Sequence, residues 1–279
     1  MSLWISLPGF LAFPIERADT VSMTPETLFD LSPVWFLTAV GLAVFAGFIK
    51  GAVGFALPMI MLAGLGSIMD PTAAVAGLVL PALVTNLWQA LRQGMFAAWQ
   101  SIVEHWRFLV VMLIFIAISA QFLAHIPDGV LFLILGLPVT FFATIMLIGW
   151  SPRVAPDNRM AELGVAVFAG ALGGLCGVWG PPTVLYLTAL RTEKKTQMRF
   201  QGVVYGSGAL VLTLSHLRSG VLSGESLNLS LALIVPALIG LYIGFILQDR
   251  LDQRLFRRLT LLILIVAGLN LIRRGVAIL

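Results

Sequence analysis

Lys50 is the residue of this chain best placed to do chemistry, because it is an ionisable group inside an apolar, glycine-rich stretch. That stretch runs from Phe45 to Pro58, and Lys50 directly precedes Gly51. Burying a charge in hydrocarbon is costly, so an ionisable residue within a membrane segment is a functional candidate. The alternative is a lysine at a helix end that extends its amine to the interface. We favour the first interpretation, in which Lys50 attracts an anion.

Further polar candidates follow the glycine-rich stretch. Asn86 and Gln89 are spaced i and i+3, so they share one helical face. In the second half of the chain, Gln201, Tyr205 and His216 stand at comparable depth in apolar surroundings. Each of them could line a binding site, or could simply form hydrogen bonds between helices.

Acidic residues are confined to the ends of apolar segments and to the stretches between them. Without a carboxylate centred in a hydrophobic segment, a buried proton relay or a Na⁺ site is disfavoured, and an anionic substrate is favoured. Cys176 is the only cysteine and the three histidines are scattered, so the sequence predicts no metal site and no cofactor. It offers no phosphate-binding loop and no nucleophile paired with a base, which argues against an enzyme.

The elements that must position these residues are membrane helices. Of the 279 residues, 59% are hydrophobic and 11% are charged, and the mean hydropathy is +1.00. Several apolar runs, such as Val130–Trp150 and Leu227–Leu247, are long enough to cross a bilayer as a helix. The fold class is therefore all-α, a polytopic transmembrane helical bundle of about 8–10 membrane segments. The net charge of +4 is interpreted as a topology signal rather than as nucleic-acid binding.

The chain contains an internal repeat. Gly47, Gly51, Gly54 and Pro58 match Gly170, Gly174, Gly177 and Pro181, and Leu91-Arg-Gln-Gly94 matches Leu217-Arg-Ser-Gly220. We predict an N-terminal extracytoplasmic or interfacial segment over residues 1–32, a first membrane repeat over 33–150, a linker over 151–161 and a second membrane repeat over 162–279.

Each repeat begins with an apolar block that is interrupted by glycine and proline, followed by three helices. The arms after the breaks are only about ten residues long, or roughly 15 Å, half of the hydrocarbon core. Two arrangements follow: one long broken helix that crosses the membrane, or a re-entrant pair of helices that turns back.

The basic residues choose between these arrangements. If the block crosses once, eight basic residues lie on each side of the membrane. If it turns back, the two repeats are inverted, and twelve basic residues on one side face four on the other. Only the second distribution resembles the excess of a cytoplasmic face. We therefore predict inverted repeats with both termini outside the cytoplasm.

Paired broken helices in inverted repeats indicate a substrate site at the membrane midplane. Helix N-termini at the breaks present free N–H groups and partial positive charge, which attract anions. The predicted substrate-binding residues are Lys50, Gly51, Gly54, Pro58, Asn86, Gln89, Gly174, Gly177, Trp179, Pro181, Thr183, Tyr186, Gln201, Tyr205 and His216.

Two stretches also carry a family resemblance. Gly47-Phe-Ile-Lys-Gly-Ala-Val-Gly-Phe55 and Gly173-Gly-Leu-Cys-Gly-Val-Trp-Gly-Pro-Pro-Thr-Val-Leu-Tyr186 resemble the signatures of the TauE/SafE family, the sulfite exporter or toluene-sulfonate uptake permease family. The resemblance covers residues 33–275. It implies a multi-pass carrier of the bacterial inner membrane for sulfite, organosulfonates or related sulfur and carboxylate anions, with either direction of transport.

The sequence thus predicts a secondary transporter that works by alternating access. Its partners are a small anion and the lipid bilayer, and a homodimer is one assembly it allows. A proton could travel with the substrate or through His216. A channel-like anion conduit is the alternative, with the two breaks forming a filter.

The inverted topology predicts opposite faces for residues 70 and 194. We expect a membrane-impermeant thiol reagent to modify Asp70→Cys from one side only and Lys194→Cys from the other side only. Modification of both from the same side would contradict the inversion.

Overall fold

The computed structural model describes residues 31–150, 155, 158–190, 194–247 and 253–279. Most of the predicted segment 1–32 and much of the linker 151–161 lie outside this range. Every regular element in the described residues is helical, which confirms the all-α prediction. The helices are α1 (Pro33–Val53), α2 (Leu57–Leu65), α3 (Pro71–Leu91), α4 (Met95–Glu104), α5 (Trp106–Ser119), a 3₁₀ turn (Leu123–His125), α6 (Asp128–Ile148), α7 (Arg159–Cys176), α8 (Gly180–Ala189), α9 (Lys194–Ser219), α10 (Gly224–Ala232), α11 (Ile234–Leu247) and α12 (Gln253–Ile278).

Glycine and proline break the first block where the sequence predicts it. Gly54 ends α1 in the left-handed region at φ +89°, and its N–H donates to the Lys50 carbonyl at 2.7 Å. Ala56 also has a positive φ, of 84°. Pro58 then falls in the first turn of α2, where a missing N–H costs nothing.

The second block breaks in the same way. Gly177 ends α7 at φ +68°, and its N–H donates to the Gly173 carbonyl at 2.8 Å. Helix α8 starts at Gly180 and places Pro181 in its first turn.

Both broken blocks turn back on themselves. A Cβ on Gly64 of α2 would stand 2.7 Å from Leu42 of α1, although the two residues lie on opposite sides of the break. In the second block, Tyr186 of α8 stacks on Phe108 at the start of α5, while α7 packs along the same helix. The re-entrant arrangement predicted from the basic residues is therefore the one that the structure has.

The helices of the two repeats interlock. Helix α1 packs against α11, and α7 packs against α5, whereas α3 pairs with α9 and α6 pairs with α12. Glycines allow the first two contacts: Gly51 faces Leu241 and Gly244, and Gly174 faces Ile116 and Ser119. Small residues at these crossings bring the backbones together, as in other membrane helix pairs.

Two polar contacts mark opposite faces of the bundle. At one face, which we call the Arg274 face, the guanidinium of Arg274 donates to the carbonyl of Gly66 at the end of α2. At the other, the Arg199 face, Arg199 pairs with Glu104 at 3.7 Å. Helix α2 therefore ends at the Arg274 face, whereas α8, whose Tyr186 lies beside Phe108, runs toward the Arg199 face.

Seven helices in the described residues are long and apolar enough to cross a membrane. Three further segments, the short arms α2 and α8 and the more polar helix α9, bring the count to ten. In this count α4 and α5 form one segment, and α10 and α11 form another. This count agrees with the 8–10 segments expected from the sequence.

The glycine crossings lead to a stability prediction. A Cβ at Gly47 would collide with the backbone of Ala237 in α11, whereas Gly41 on the same helix has nothing within 4 Å of such an atom. We expect Gly47→Ala to destabilise the protein by roughly 1–3 kcal/mol, as overpacked core substitutions do. Gly41→Ala, the matched control, should not destabilise it.

The measurement is the apparent thermal unfolding midpoint of the detergent-purified variants at one fixed scan rate, because membrane proteins often unfold irreversibly. Equal midpoints for both variants would show that the α1–α11 contact tolerates a methyl group.

Candidate functional site

The two breaks meet at one internal cavity. The space there that is not filled by protein atoms measures about 330 Å³, open surroundings included. Its walls come from both repeats, and the lining residues are Lys50, Phe55, Ala56, Pro58, Met59, Asn86, Gly177, Val178, Trp179, Gly180, Pro181 and Tyr205.

Lys50 is the cation of the cavity, and it is almost completely buried, at 1% exposure. Its Nζ donates to Thr85 Oγ1 at 3.0 Å and to Asn86 Oδ1. An ammonium group carries three hydrogens, so one is left for a ligand. Both acceptors are neutral, and therefore they orient the amine without cancelling its charge.

Helix α3 holds these acceptors in place. Pro81 interrupts its hydrogen-bond ladder, and the Thr85 hydroxyl donates to the Pro81 carbonyl at 2.7 Å. The amide of Asn86 donates in turn to the Tyr205 carbonyl in α9, at 3.2 Å. The Tyr205 hydroxyl donates to the carbonyl of Gly180, also at 3.2 Å. The polar contacts thus run from α1 through α3 and α9 to the start of α8.

Both re-entrant helices begin at the cavity. Ala56 precedes α2, Gly180 opens α8, and both residues line the space. The first N–H groups of a helix have no partner within it and carry partial positive charge. No carboxylate is among the lining residues in the part of the chain that the structure describes. The cavity is therefore electropositive and suited to an anion.

The rest of the wall is apolar. Phe55, Met59, Val178 and Trp179 form it, and Trp179 is only 1% exposed. The indole of Trp179 packs directly against Gly173. A Cβ added to this glycine would stand only 2.6 Å from the ring. This wall shields the amine of Lys50 from water, which strengthens its attraction for an anion.

Seven of the predicted site residues come together at the cavity: Lys50, Pro58, Asn86, Gly177, Trp179, Pro181 and Tyr205. The other eight lie elsewhere. Gly51 and Gly174 pack against α11 and α5, and Gly54 forms the end of α1.

Thr183 donates to the carbonyl of Trp179 within α8, at 2.8 Å. The ring of Tyr186 lies between the cavity and the Arg199 face, and its centroid is 5.9 Å from that of Phe108. Gln89 has a buried Nε2 without a partner, Gln201 is buried in α9, and His216 is fully buried with neither ring nitrogen bonded.

Six residues that build the site are not among the predicted substrate-binding residues: Phe55, Ala56, Met59, Thr85, Val178 and Gly180. Four of them lie at the two breaks. Phe55 and Ala56 stand between α1 and α2, Val178 stands between α7 and α8, and Gly180 is the first residue of α8. The residues at a break join the two arms of a re-entrant pair, so they face the space where the two pairs meet. The positions of the breaks in the sequence could therefore have indicated these four residues. Thr85 could have been found from its position four residues after Pro81, where a threonine hydroxyl bonds back to a carbonyl.

Two opposed re-entrant helices that begin around a buried lysine are an arrangement known from membrane transporters. The family model for the sulfite exporter TauE/SafE matches residues 39–271. The chain belongs to this family of membrane transporters, which the sequence motifs had indicated. No curated protein and no solved structure matches the chain.

The bond between Tyr205 and Gly180 gives a prediction. Tyr205→Phe removes the hydroxyl that holds the start of α8, and we expect it to destabilise the protein by about 0.5–1.5 kcal/mol. Amide hydrogen exchange around Gly180 should accelerate. Tyr242→Phe is the control, because Tyr242 is 60% exposed on α11. Indistinguishable exchange in the two variants would rule out an anchoring role for the Tyr205 hydroxyl.

Proposed function

We propose that this protein is a secondary transporter that carries a small anion across the bacterial inner membrane by alternating access. The substrate class is a sulfur oxyanion, such as sulfite or an organosulfonate, or a related carboxylate. The observation that carries the proposal is the buried amine of Lys50 at the point where two re-entrant helices begin, in a cavity that no carboxylate of the described residues lines.

Charge favours an anion as the cargo. A cation held by two neutral acceptors in an apolar medium is costly. An anion within reach of Lys50 Nζ would offset that cost, and the N–H groups at the starts of α2 and α8 would bind its oxygens. A cationic substrate would meet repulsion from the same groups.

Packed side chains stand between the cavity and each face of the bundle. Toward the Arg199 face, the rings of Tyr186, Phe108, Phe200 and His105 follow one another at centroid distances of 5.9, 5.6 and 4.2 Å. Toward the Arg274 face, α2 packs against α3 and α12, and Arg274 holds its last turn. Alternating access requires these two barriers to open in turn, whereas a channel would open both together.

The test of the site is Lys50→Met, which keeps an unbranched side chain of similar length and removes its charge. We expect at least about a 30-fold loss of affinity for sulfite and methanesulfonate, since truncating one partner of a buried charge pair costs 2 kcal/mol or more. Lys50→Arg should retain part of the affinity. Arg107→Met, which removes an exposed cation outside the cavity, should leave the affinity unchanged.

Binding is measured by anion-induced thermal stabilisation of the purified protein, and transport by uptake and counterflow in proteoliposomes. Anion binding that is as tight in Lys50→Met as in the unchanged protein would refute the site. Flux without counterflow would favour the channel instead.

A further inference from the structure

A second opening lies between α5 and α9, away from the central cavity. It is open to the surroundings of the bundle, and the space there that is not filled by protein atoms measures about 1020 Å³, open surroundings included. Its apolar wall consists of Ala117, Ile118, Phe122, Val211 and Leu214, and its polar groups are Gln121, Ser215 and Arg218. We call it the α5–α9 groove.

The groove is graded from apolar to polar along the bundle axis. Both helices run toward the Arg274 face, so higher residue numbers lie nearer to that face. Ala117 and Val211 are therefore deepest, while Gln121 and Arg218 lie at the outer end. Arg218 is exposed, and no carboxylate in the described residues lies within ion-pair distance of it. An amphiphile with an acidic headgroup has the same order of groups.

In the other repeat, the counterpart of Arg218 is covered by an aromatic ring. Arg92 is the counterpart of Arg218 in the Leu-Arg-x-Gly match, and its guanidinium lies over the ring of Phe245, 4.3 Å from the centroid. The counterpart of Phe245 is Ala120. The backbone nitrogen of Phe245 faces Gly51, and the backbone nitrogen of Ala120 faces Gly174, the match of Gly51 in the other repeat. A buried alanine thus stands where the other repeat has a phenylalanine, and in the described residues no aromatic ring covers the exposed Arg218.

From this broken symmetry we propose that the α5–α9 groove binds an anionic phospholipid. One acyl chain lies along the apolar wall, and Arg218 binds the phosphate at the membrane interface. Basic residues near a membrane surface attract anionic lipid headgroups, and a guanidinium pairs with phosphate through two parallel hydrogen bonds. This site is separate from the Lys50 cavity and does not depend on the anion carried there.

The test titrates the full-length protein in detergent with dioleoyl phosphatidylglycerol or dioleoyl phosphatidylcholine and counts the bound lipids by native mass spectrometry. The unchanged protein should bind the first phosphatidylglycerol at least about fivefold more tightly than phosphatidylcholine, the selectivity expected from one basic contact. Arg218→Gln should abolish this preference. Arg273→Gln, at an exposed arginine of the same face that bonds Asn270, should retain it.

A second pair of variants tests the apolar wall. Leu214→Trp fills the groove and should weaken the first binding step for both lipids. Leu217→Trp places the same ring at another exposed position of α9 and should not. Three results would overturn the proposal: no lipid preference in the unchanged protein, a preference that survives Arg218→Gln, or equally effective competition by glycerol phosphate, which has no acyl chain.

Discussion

The contact between the Lys50 amine and its two neutral acceptors is the constraint around which the bundle is organised. A primary amine in the membrane interior needs hydrogen-bond partners, and Thr85 and Asn86 supply them from a helix that Pro81 interrupts. These partners satisfy hydrogens without neutralising charge, so the electrostatic cost of the cation remains. A core meant only for stability would have an apolar residue there. This cost falls at the place where the N-termini of α2 and α8 also converge.

Close glycine packing makes that arrangement possible. Gly51 and Gly174 let α1 and α7 approach α11 and α5 until the backbones touch. Each of these contacts joins helices from different repeats. The repeats that the sequence predicts are therefore interlocked, and neither can bury its own first helix without the other. The re-entrant arms are positioned by this shared scaffold rather than by the repeat to which they belong.

The sequence contained the breaks, the inversion and the buried cation, because each of these depends on residue type at a fixed position. Glycine and proline set where a helix ends, and basic residues report which way it crosses. The sequence does not predict how each helix is rotated about its own axis, and this rotation decides which residues face the cavity. Lys50 and Gly51 are adjacent, yet one faces the cavity and the other faces α11. Asn86 and Gln89 share a helical face, but Gln89 does not line the cavity, because it is one turn farther along α3.

The two repeats contribute unequal chemistry to a nearly symmetric frame. The position of Lys50 in the first repeat corresponds to Gly173 in the second. A second lysine there would double the buried charge; the glycine instead leaves room for the indole of Trp179, which packs against it. Charge therefore enters the cavity from one repeat and the broad apolar surface from the other. A site built in this way gives a single small ligand one charged side and one apolar side, while the inverted backbones keep both helix N-termini directed at it. Duplication accounts for the frame, and the divergence of Lys50 from Gly173 accounts for the polarity of the site.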